Sequence, residues 1–266
     1  MLLSNYITTF HQITNYNKGN PMIRSALMVI MGVFITAFTA GFVLIASPLF
    51  LMREITVCRV VNLWARLLLF ISNVRVEVIG KENVFDDRSQ IFMANHQSNF
   101  DIFIVQAYIP CHFHWLAKKE LFEIPVFGSA MKRAGAIEID RENLNNAIKS
   151  LGEAVQKIKD GRSVTTFPEG SRSRDDTIKP FKKGIFYLAI KSGAPIIPIS
   201  IIGSRHIMPK KSLLVHPGKI TMIIGKPIEV KNYSIESRDE LMTEVRDAIV
   251  RNYYNGMTVT EGKDRL

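Results

Sequence analysis

The chain has 266 residues, of which 47% are hydrophobic and 22% are charged, and it carries a formal net charge of +10 at pH 7. This length allows a substantial buried core, and the composition is ordinary for a folded protein. The basic charge fits nucleic acid, anionic lipid or a small anionic substrate, and charge alone does not choose among them. Cys58 and Cys111 are far apart in different kinds of segment, which argues against a disulfide framework or a zinc motif and suits a reducing compartment.

A long apolar segment follows a polar stretch at residues 1–21. No charged residue occurs in the range 25–52, and Arg24 and Arg53 close its two ends. A membrane-spanning helix needs about 20 apolar residues, so this segment is long enough to cross a bilayer. It begins too far from the start, and is too long, for a simple secretory signal. Glycines and Pro48 could bend it, so a re-entrant helix is an alternative.

The next stretch, residues 54–72, has the pattern of an amphipathic helix. Arg59, Asn62 and Arg66 form one narrow polar stripe, and the remaining surface is apolar. A wide apolar face beside a basic stripe suits a position at the membrane surface. The alternative is a core helix whose two arginines extend to water. Because the stretch directly follows the uncharged segment, we favour the membrane surface and predict a helical anchor over residues 22–72.

After residue 73 the pattern changes to alternating strands and helices. Strand patterns occur at 74–78, 90–94, 112–117, 135–140, 163–167, 195–202 and 219–225. Helical patterns occur at 101–109, 126–133, 142–159, 184–192 and 235–253. This alternation predicts an α/β domain over residues 73–254, with a mixed sheet flanked by helices. Residues 255–266 are polar and are expected to form a frayed tail.

The first candidate for chemistry is the segment NHQSNFD at residues 95–101, where His96 follows an apolar strand and Asp101 opens an apolar helix. Proteins with α/β folds commonly bind ligands at the carboxyl ends of strands. Ser98 and Asp101 have the spacing of a capping box. A carboxylate that holds one imidazole nitrogen leaves the other free as a base. The alternative, favoured on this segment alone, is a histidine in a turn and an aspartate at a helix N-terminus.

The second candidate is the segment FPEGSRSR at residues 167–174, which follows another predicted strand. Gly170 allows a sharp turn or a close approach to a ligand. Arg172 and Arg174 offer forked donors suited to phosphate, and Ser171 adds a hydroxyl. The alternative is an exposed turn with solvated arginines. Three lysines follow within nine residues of Arg174, and this clustering favours an anion site.

Two further segments are weaker taken singly. GAIEIDR, at residues 135–141, ends in Asp140 and Arg141, a pair that is more often a local ion pair or a helix start than a site. In IIPIS, Pro198 lies inside a predicted strand, which indicates an edge, a bulge or the rim of a ligand site.

In this order, NHQSNFD, GAIEIDR, FPEGSRS and IIPIS resemble the four motifs of the glycerolipid acyltransferase superfamily. The branch they resemble most is the 1-acyl-sn-glycerol-3-phosphate acyltransferases. The resemblance covers about residues 75–226, and the motif order and spacing match. Ser171 stands where the family usually has threonine, and Glu138 stands where an apolar residue is common. The fold implied is the α/β fold of glycerol-phosphate acyltransferases.

The resemblance implies that His96 is the general base and Asp101 its orienting partner. The acceptor hydroxyl would attack the acyl thioester directly, because no serine or cysteine nucleophile is required. Backbone amides near Ser98 are candidates for the oxyanion hole.

The resemblance also implies a set of acceptor-binding residues. Arg172 would bind the acceptor phosphate, and Arg141 would help to hold the acceptor. Either Lys118 or Lys119 would face the phosphate, and the sequence does not decide between them. The complete predicted binding set is Lys118, Lys119, Arg141, Glu169, Gly170, Ser171, Arg172 and Pro198.

The function implied is transfer of a fatty acyl group from acyl-CoA or acyl-carrier protein to the sn-2 hydroxyl of lysophosphatidic acid, which forms phosphatidic acid. The alternatives are the same chemistry on glycerol-3-phosphate, another lysophospholipid or a lyso-amino-acid lipid, or a non-catalytic membrane lipid-binding protein. Nucleic acid is not expected as a partner, because the chain has no recognised nucleic-acid module.

No cofactor is expected, and no metal, since the pair His112 and His114 has no evident third ligand. The bilayer is an expected partner. We expect the catalytic domain to lie on the cytoplasmic face of the inner membrane.

Overall fold

The computed structural model describes residues 20–140 and 144–263. The predicted polar segment at residues 1–21 therefore lies almost wholly outside the described residues, as does Arg141. The helices are α1 (Pro21–Leu49), α2 (Glu54–Ile71), α3 (Phe100–Tyr108), α4 (Lys119–Phe122), α5 (Phe127–Arg133), α6 (Leu144–Lys159), α7 (Lys183–Ser192), α8 (Ser204–Ile207) and α9 (Arg238–Lys263). The strands are β1 (Val74–Ile79), β2 (Ile91–Ala94), β3 (Phe113–Lys118), β4 (Ile137–Ile139), β5 (Ser163–Thr166), β6 (Ile196–Ile202) and β7 (Gly218–Ile224).

The seven strands form one mixed sheet in the order β1-β7-β6-β2-β5-β3-β4. Strands β6, β2, β5, β3 and β4 run parallel to one another. Strand β7 is antiparallel to β6, and β1 is parallel to β7. The predicted fold class is confirmed. Because five neighbouring strands share one direction, their carboxyl ends meet at one edge of the sheet.

The sheet is covered on both faces, which explains why its central strands are apolar throughout. Successive side chains of a strand point to opposite faces. Ile91 and Met93 of β2 therefore pack in the core under α6, α7 and α9, whereas Phe92 and Ala94 pack in the core under α2 and α3. This two-sided burial fixes β2, and with it the loop that follows, at the centre of the molecule.

Helix α1 is the one helix among the described residues that is long and apolar enough to cross a membrane, with a mean hydropathy of 2.4. At 1.5 Å per residue it extends about 43 Å. It packs against α2 and α5 through small side chains such as Ala40, while Phe34 and Phe38 remain 72% and 67% exposed. A helix with such an exposed apolar face is a candidate membrane anchor.

Helix α2 combines features of both interpretations considered from its sequence. It packs against α3 and buries residues such as Ala65 and Leu69 in the core. Leu63 and Phe70 on another side are 67% and 51% exposed. A position at the membrane surface remains a prediction for this second side.

Helix α9 continues to Lys263, through residues for which a frayed tail was expected from the polar sequence. The physical reason is packing against the sheet. Tyr253 is only 1% exposed, and Gly256 lies so close to β6 that a Cβ atom there would meet Cδ1 of Ile202 at 2.4 Å. A glycine, usually a helix breaker, here permits the close contact that holds the helix in place.

Candidate active site

The residues predicted to carry chemistry follow the carboxyl ends of the parallel strands. His96 comes two residues after the end of β2, and Gly170 comes four residues after the end of β5. Lys118 is the last residue of β3, between β5 and β4 in the sheet. Segments distant in sequence are therefore brought to one edge of the sheet, where α/β proteins place their ligands.

His96 and Asp101 are in direct contact. The Nδ1 atom of His96 lies 2.8 Å from Oδ2 of Asp101, and the aspartate side chain is completely buried while that of the histidine is 13% exposed. An ionised carboxylate only accepts hydrogen bonds, so this contact places the imidazole proton on Nδ1. The Nε2 atom is then left as the basic nitrogen.

The aspartate is held by the backbone of its own loop. Its Oδ2 atom also accepts hydrogen bonds from the amides of Gln97 and Ser98, both at 2.7 Å. The Ser98 hydroxyl accepts from the amide of Phe100 at 3.2 Å, whereas the amide of Asp101 donates to the Ser98 carbonyl at 3.3 Å, so only the carboxylate half of the predicted capping box forms. The idea that amides near Ser98 form an oxyanion hole is wrong for Gln97 and Ser98, because both donate to Asp101.

One aromatic and one acidic side chain from the loop after β5 contact His96. The ring of Phe167 stacks on the imidazole with 3.9 Å between ring centroids and an angle of 8° between the planes. Glu169 accepts the backbone N–H of His96 through Oε1 at 2.7 Å. The amide of Ser173 donates to the His96 carbonyl at 2.8 Å. Three contacts at His96 thus join the loop after β2 to the loop after β5.

Glu169 faces inward and not toward a ligand. The residue is only 3% exposed, and Oε2 accepts hydrogen bonds from the amide of Lys179 at 3.0 Å and the hydroxyl of Ser173 at 3.3 Å. Burial raises the pKa of Glu169 to about 7, although its three hydrogen-bond donors oppose that rise. The prediction that Glu169 binds the acceptor is therefore replaced by a role in joining the two loops.

A cavity of about 520 Å³ opens beside His96. Its polar mouth includes His96, Gly170, Ser171 and Arg172. Its interior is mainly apolar and lies between the sheet and the N-terminal helices. The apolar wall is formed by residues of α1, α2, β3 and α5, among them Ala40, Val43, Val61, Trp64, Leu116, Phe127, Ala130 and Met131. A largely apolar pocket with a few polar groups at one end suits an amphiphilic ligand.

The mouth of the cavity is positively charged. The charged side chains lining it are those of Lys118, Arg172 and Lys210, and no described aspartate or glutamate lines it. Among the described residues, the guanidinium of Arg172 also has no carboxylate partner. Uncompensated cations converging on one opening attract an anion, and a guanidinium is suited to phosphate.

Lys118 and Lys119 point to different sides. Lys118 lines the cavity, whereas Nζ of Lys119 lies 3.6 Å from Oδ2 of Asp140 at the end of β4. Lys118 is the last residue of β3 and Lys119 the first residue of α4, and only Lys118 lines the cavity. Asp140 and Lys119 border a second, polar depression outside the cavity.

Pro198 lies inside the sheet and does not line the cavity. The ladder between β6 and β7 stops at the pair Ile199–Ile224, and the next residue pair is an isolated bridge between Ile196 and Ile228. Three residues of one segment therefore lie opposite two of the other, which is a bulge. The missing N–H of Pro198 is tolerated at this irregularity. Of the interpretations drawn from the sequence, the bulge applies.

The pair His112 and His114 packs at the other end of β3, away from the cavity mouth. Nε2 of His114 lies 3.9 Å from a carboxylate oxygen of Glu54, which also binds Arg162 at 3.1 Å. Burial lowers the pKa of His114 to about 4, so the imidazole is neutral at physiological pH.

Phe167 and Lys210 were not recognised as site residues from the sequence. Phe167 gave a weak signal, because it is the first residue of the FPEGSRSR segment. Lys210 gave none, since it lies outside the four motifs and reaches the cavity only through the folding of the chain between β6 and β7.

Comparison with known proteins agrees with this arrangement. A family model described as Acyltransferase matches residues 75–202. The chain is 34% identical over 187 residues to a 1-acyl-sn-glycerol-3-phosphate acyltransferase from Limnanthes douglasii, an alignment that covers 70% of this chain and 66% of that protein. It is 31% identical over 185 residues to one from Helicobacter pylori, covering 69% of this chain and 77% of that protein.

The chain spans about two thirds of the length of the Limnanthes relative, and 49% of a chloroplastic relative from Brassica napus. A solved structure is also similar. The crystal structure of the 1-acyl-sn-glycerophosphate (LPA) acyltransferase PlsC from Thermotoga maritima has a TM-score of 0.76 at 29% identity, covering 88% of this chain and 96% of that one.

Proposed function

The chain belongs to the 1-acyl-sn-glycerol-3-phosphate acyltransferase family, and on that premise we propose that it transfers a fatty acyl group from a thioester to the sn-2 hydroxyl of lysophosphatidic acid. The product is phosphatidic acid. The observation that carries the proposal is the 2.8 Å contact between His96 and Asp101 at the mouth of a cavity with an apolar interior and a cationic rim. No other pair of side chains at this opening combines a base with an orienting carboxylate among the described residues.

In the proposed reaction His96 acts as the general base. Nε2 takes the proton of the acceptor hydroxyl as its oxygen attacks the thioester carbonyl carbon. The carbon–sulfur bond of the tetrahedral intermediate then breaks, and the leaving thiolate takes a proton from the imidazolium. Asp101 stabilises the imidazolium while it exists. Each turnover ends with an ester, a free thiol and a neutral His96.

The cavity suggests where each substrate lies. Lys118 and Arg172 at the rim are placed to bind the acceptor phosphate near His96. The single acyl chain of the acceptor can remain in the bilayer, whereas the chain of a water-soluble donor must be shielded from water. We therefore assign the apolar interior to the acyl chain of the donor.

Helix α1 supports a membrane location. Many of its large apolar side chains are exposed, and leaving such a continuous apolar surface in contact with water costs free energy. We propose that α1, with α2, anchors the protein on the cytoplasmic face of the inner membrane. Labelling of a cysteine introduced at the exposed Lys231 would test this sidedness. The introduced cysteine should react with a membrane-impermeant reagent in inverted vesicles and should not react with that reagent in intact cells.

An acceptor panel tests the proposed activity. Purified protein in anionic vesicles is given acyl-CoA or acyl-carrier protein with lysophosphatidic acid, glycerol-3-phosphate, lysophosphatidylcholine or a lyso-amino-acid lipid, and thiol release is followed. The proposal expects the highest kcat/KM with lysophosphatidic acid. Faster turnover of another acceptor would reassign the substrate, and no turnover with any acceptor would leave a non-catalytic lipid-binding protein.

Rapid-quench labelling tests the direct transfer. With a radioactive acyl donor and no acceptor, the proposal expects no covalently acylated protein, because His96 acts as a base and not as a nucleophile. An acyl-protein that forms and decays at the rate of turnover would contradict it.

A further inference from the structure

Lys210 lies in the wall of the cavity although it belongs to none of the four motifs. It sits on a tight turn in which the amide of Ser212 donates to the carbonyl of Pro209 at 3.0 Å. Lys211, the next residue of the turn, adopts a φ of 70°, a left-handed conformation in which a side chain is unfavourable. The turn therefore has a defined shape, and Lys210 is the residue that it directs to the cavity.

The turn is tied to the catalytic loop. The hydroxyl of Ser98, three residues before Asp101, donates to the carbonyl of Met208 at 2.9 Å. The other end of the segment is held by the amide of His216, which donates to the carbonyl of Ile207 at 2.8 Å. The segment that carries Lys210 is thus hydrogen-bonded to the loop that carries His96 and is not an independent surface loop.

The ammonium of Lys210 meets other cations and no carboxylate. Its Nζ donates to the carbonyl oxygen of Arg172 at 2.6 Å, and Nζ of Lys179 donates to that same oxygen at 2.7 Å. Two ammonium groups sharing one neutral acceptor repel each other. Desolvation, followed by the charges of Lys179, Arg174 and Arg172, lowers the pKa of Lys210. Among the described residues no ion pair offsets this charge at Lys210.

Such a cluster is stabilised by an anion with several oxygens. A phosphomonoester can accept from a guanidinium and two ammonium groups at once, because it has three terminal oxygens and carries up to two negative charges. Of this cluster, Arg172 and Lys210 line the cavity together with Lys118, and most of the remaining lining is apolar. A lysolipid whose acyl chain stays in the bilayer can present such a phosphomonoester to these cations beside His96.

We propose that Lys210 is a third phosphate-binding cation of the acceptor site, acting with Arg172 and Lys118 on the phosphomonoester of the lysolipid. This inference rests on the proposed function. A donor of the acyl-CoA type also carries phosphates, so the same chemistry could come from either substrate. The assignment to the acceptor follows from the position of Lys210, which is bonded to the Arg172 segment and tied through Met208 to the loop that presents the base.

Steady-state kinetics of three variants tests the proposal. Lys210→Gln removes the charge, Lys210→Arg keeps it, and Lys211→Gln removes the same charge from the exposed neighbouring residue as a matched control. For Lys210→Gln we expect the KM for lysophosphatidic acid to rise about tenfold, the typical effect of losing one charge-assisted hydrogen bond. The KM for the donor should stay unchanged. Lys210→Arg should recover most of the affinity, and Lys211→Gln should match the unmodified protein.

A second acceptor distinguishes a loss of phosphate binding from a general distortion of the acceptor site. With 1-acylglycerol, which lacks the phosphate, Lys210→Gln and the unmodified protein should have the same kcat/KM. An equal loss of kcat/KM with both acceptors would overturn the proposal, as would an effect only on the KM for the donor. So would an unchanged KM for lysophosphatidic acid.

Two controls complete the test. Thermal unfolding of Lys210→Gln should occur within about 2 °C of the unmodified protein, and a larger fall would show that the residue acts through folding, against the proposal. If the unmodified protein itself fails to acylate lysophosphatidic acid, the proposed function has failed. If it succeeds and Lys210→Gln binds the acceptor equally well, only the inference about Lys210 has failed.

Discussion

Glu169 accepts a hydrogen bond from the backbone N–H of His96 at 2.7 Å. An acid that was predicted from the sequence to bind substrate therefore holds the loop that carries His96. The second carboxylate oxygen accepts the amide of Lys179 at 3.0 Å. One buried side chain thereby joins the loop after β2 to two parts of the loop after β5. The position of His96 depends on this link as well as on its contact with Asp101.

The raised pKa of Glu169 predicts how stability changes with pH. Its pKa of about 7 in the folded protein lies above the value of 4.5 expected without burial. The folded state therefore binds the proton more tightly than the unfolded state does. The contribution of this group is fully present below pH 4.5 and is lost as the pH rises through about 7. A shift of this size corresponds to at most about 3 kcal/mol.

Thermal unfolding of the unmodified protein and of Glu169→Gln, from pH 4.5 to pH 8.5, measures this effect. The variant carries no titrating group there, so the Tm of the unmodified protein should fall relative to that of Glu169→Gln as the pH rises. A difference in Tm that is constant with pH, or that moves the other way, would show that Glu169 does not titrate as proposed.

Substitutions of Asp101 should separate its charge from its geometry. In Asp101→Asn the amide oxygen can replace Oδ2, and the NH₂ group can take the place of Oδ1, which is buried without a hydrogen-bond partner in the described part of the chain. The imidazole tautomer is then preserved, and kcat should fall about 10- to 100-fold from the loss of one charge-assisted hydrogen bond. Asp101→Ala also removes the orientation of the ring, so its kcat should fall about 10³-fold or more. Single-turnover rates that fall equally in Asp101→Asn and Asp101→Ala would contradict separate roles for the charge and the geometry of Asp101.

Lys118 and Lys119 provide a matched pair of charge deletions. Lys118 lines the cavity, whereas Lys119 faces Asp140 outside it. Lys118→Gln should therefore raise the KM for lysophosphatidic acid about tenfold. Lys119→Gln should leave that KM unchanged, because it breaks only an ion pair with Asp140 that lies outside the cavity. Acceptor titrations at saturating donor measure both values, and the reverse order of effects would refute the placement of the two side chains.

A bulky residue on α1 should shorten the preferred acyl chain. Ala40 lines the cavity and is 6% exposed, so Ala40→Phe would fill part of its interior. Each methylene that no longer fits loses about 0.8 kcal/mol, and two lost methylenes correspond to about tenfold in kcat/KM. The measurement is kcat/KM for donors with chains of increasing length.

Ala37→Phe is the control for this experiment, because Ala37 lies on the same helix but is exposed and does not line the cavity. It should leave the chain-length preference unchanged. The assignment of the cavity to the donor chain would be wrong if Ala40→Phe altered the preference for the acceptor chain alone.

Much of the fold could be predicted from the sequence because its signals are local. The alternation in β1 and the apolar runs in β2 and β6 are set by which faces of a strand are buried, so these elements were found within one or two residues. The spacing of Ser98 and Asp101 is likewise a short-range pattern, and it correctly placed the two residues in one turn.

The parts that could not be predicted depend on packing between distant segments. Whether Glu169 faces the cavity, which of Lys118 and Lys119 does, and where Lys210 lies are decided by how strand-end loops meet across the sheet. Periodicity within one segment does not contain that information. The continuation of α9 past Asn255 has the same origin, since it follows from the contact between Gly256 and β6 and not from helix propensity.

The most direct test of the role of His96 is thiol release from acyl-CoA on addition of lysophosphatidic acid. It is measured for His96→Ala beside His206→Ala, a substitution of an exposed histidine outside the cavity. We expect His96→Ala to lower kcat about 10³-fold while its Tm and its binding to vesicles stay unchanged. His206→Ala should retain full turnover. A folded, membrane-bound His96→Ala protein that releases thiol as fast as the unmodified one would contradict the central claim that His96 removes the acceptor proton.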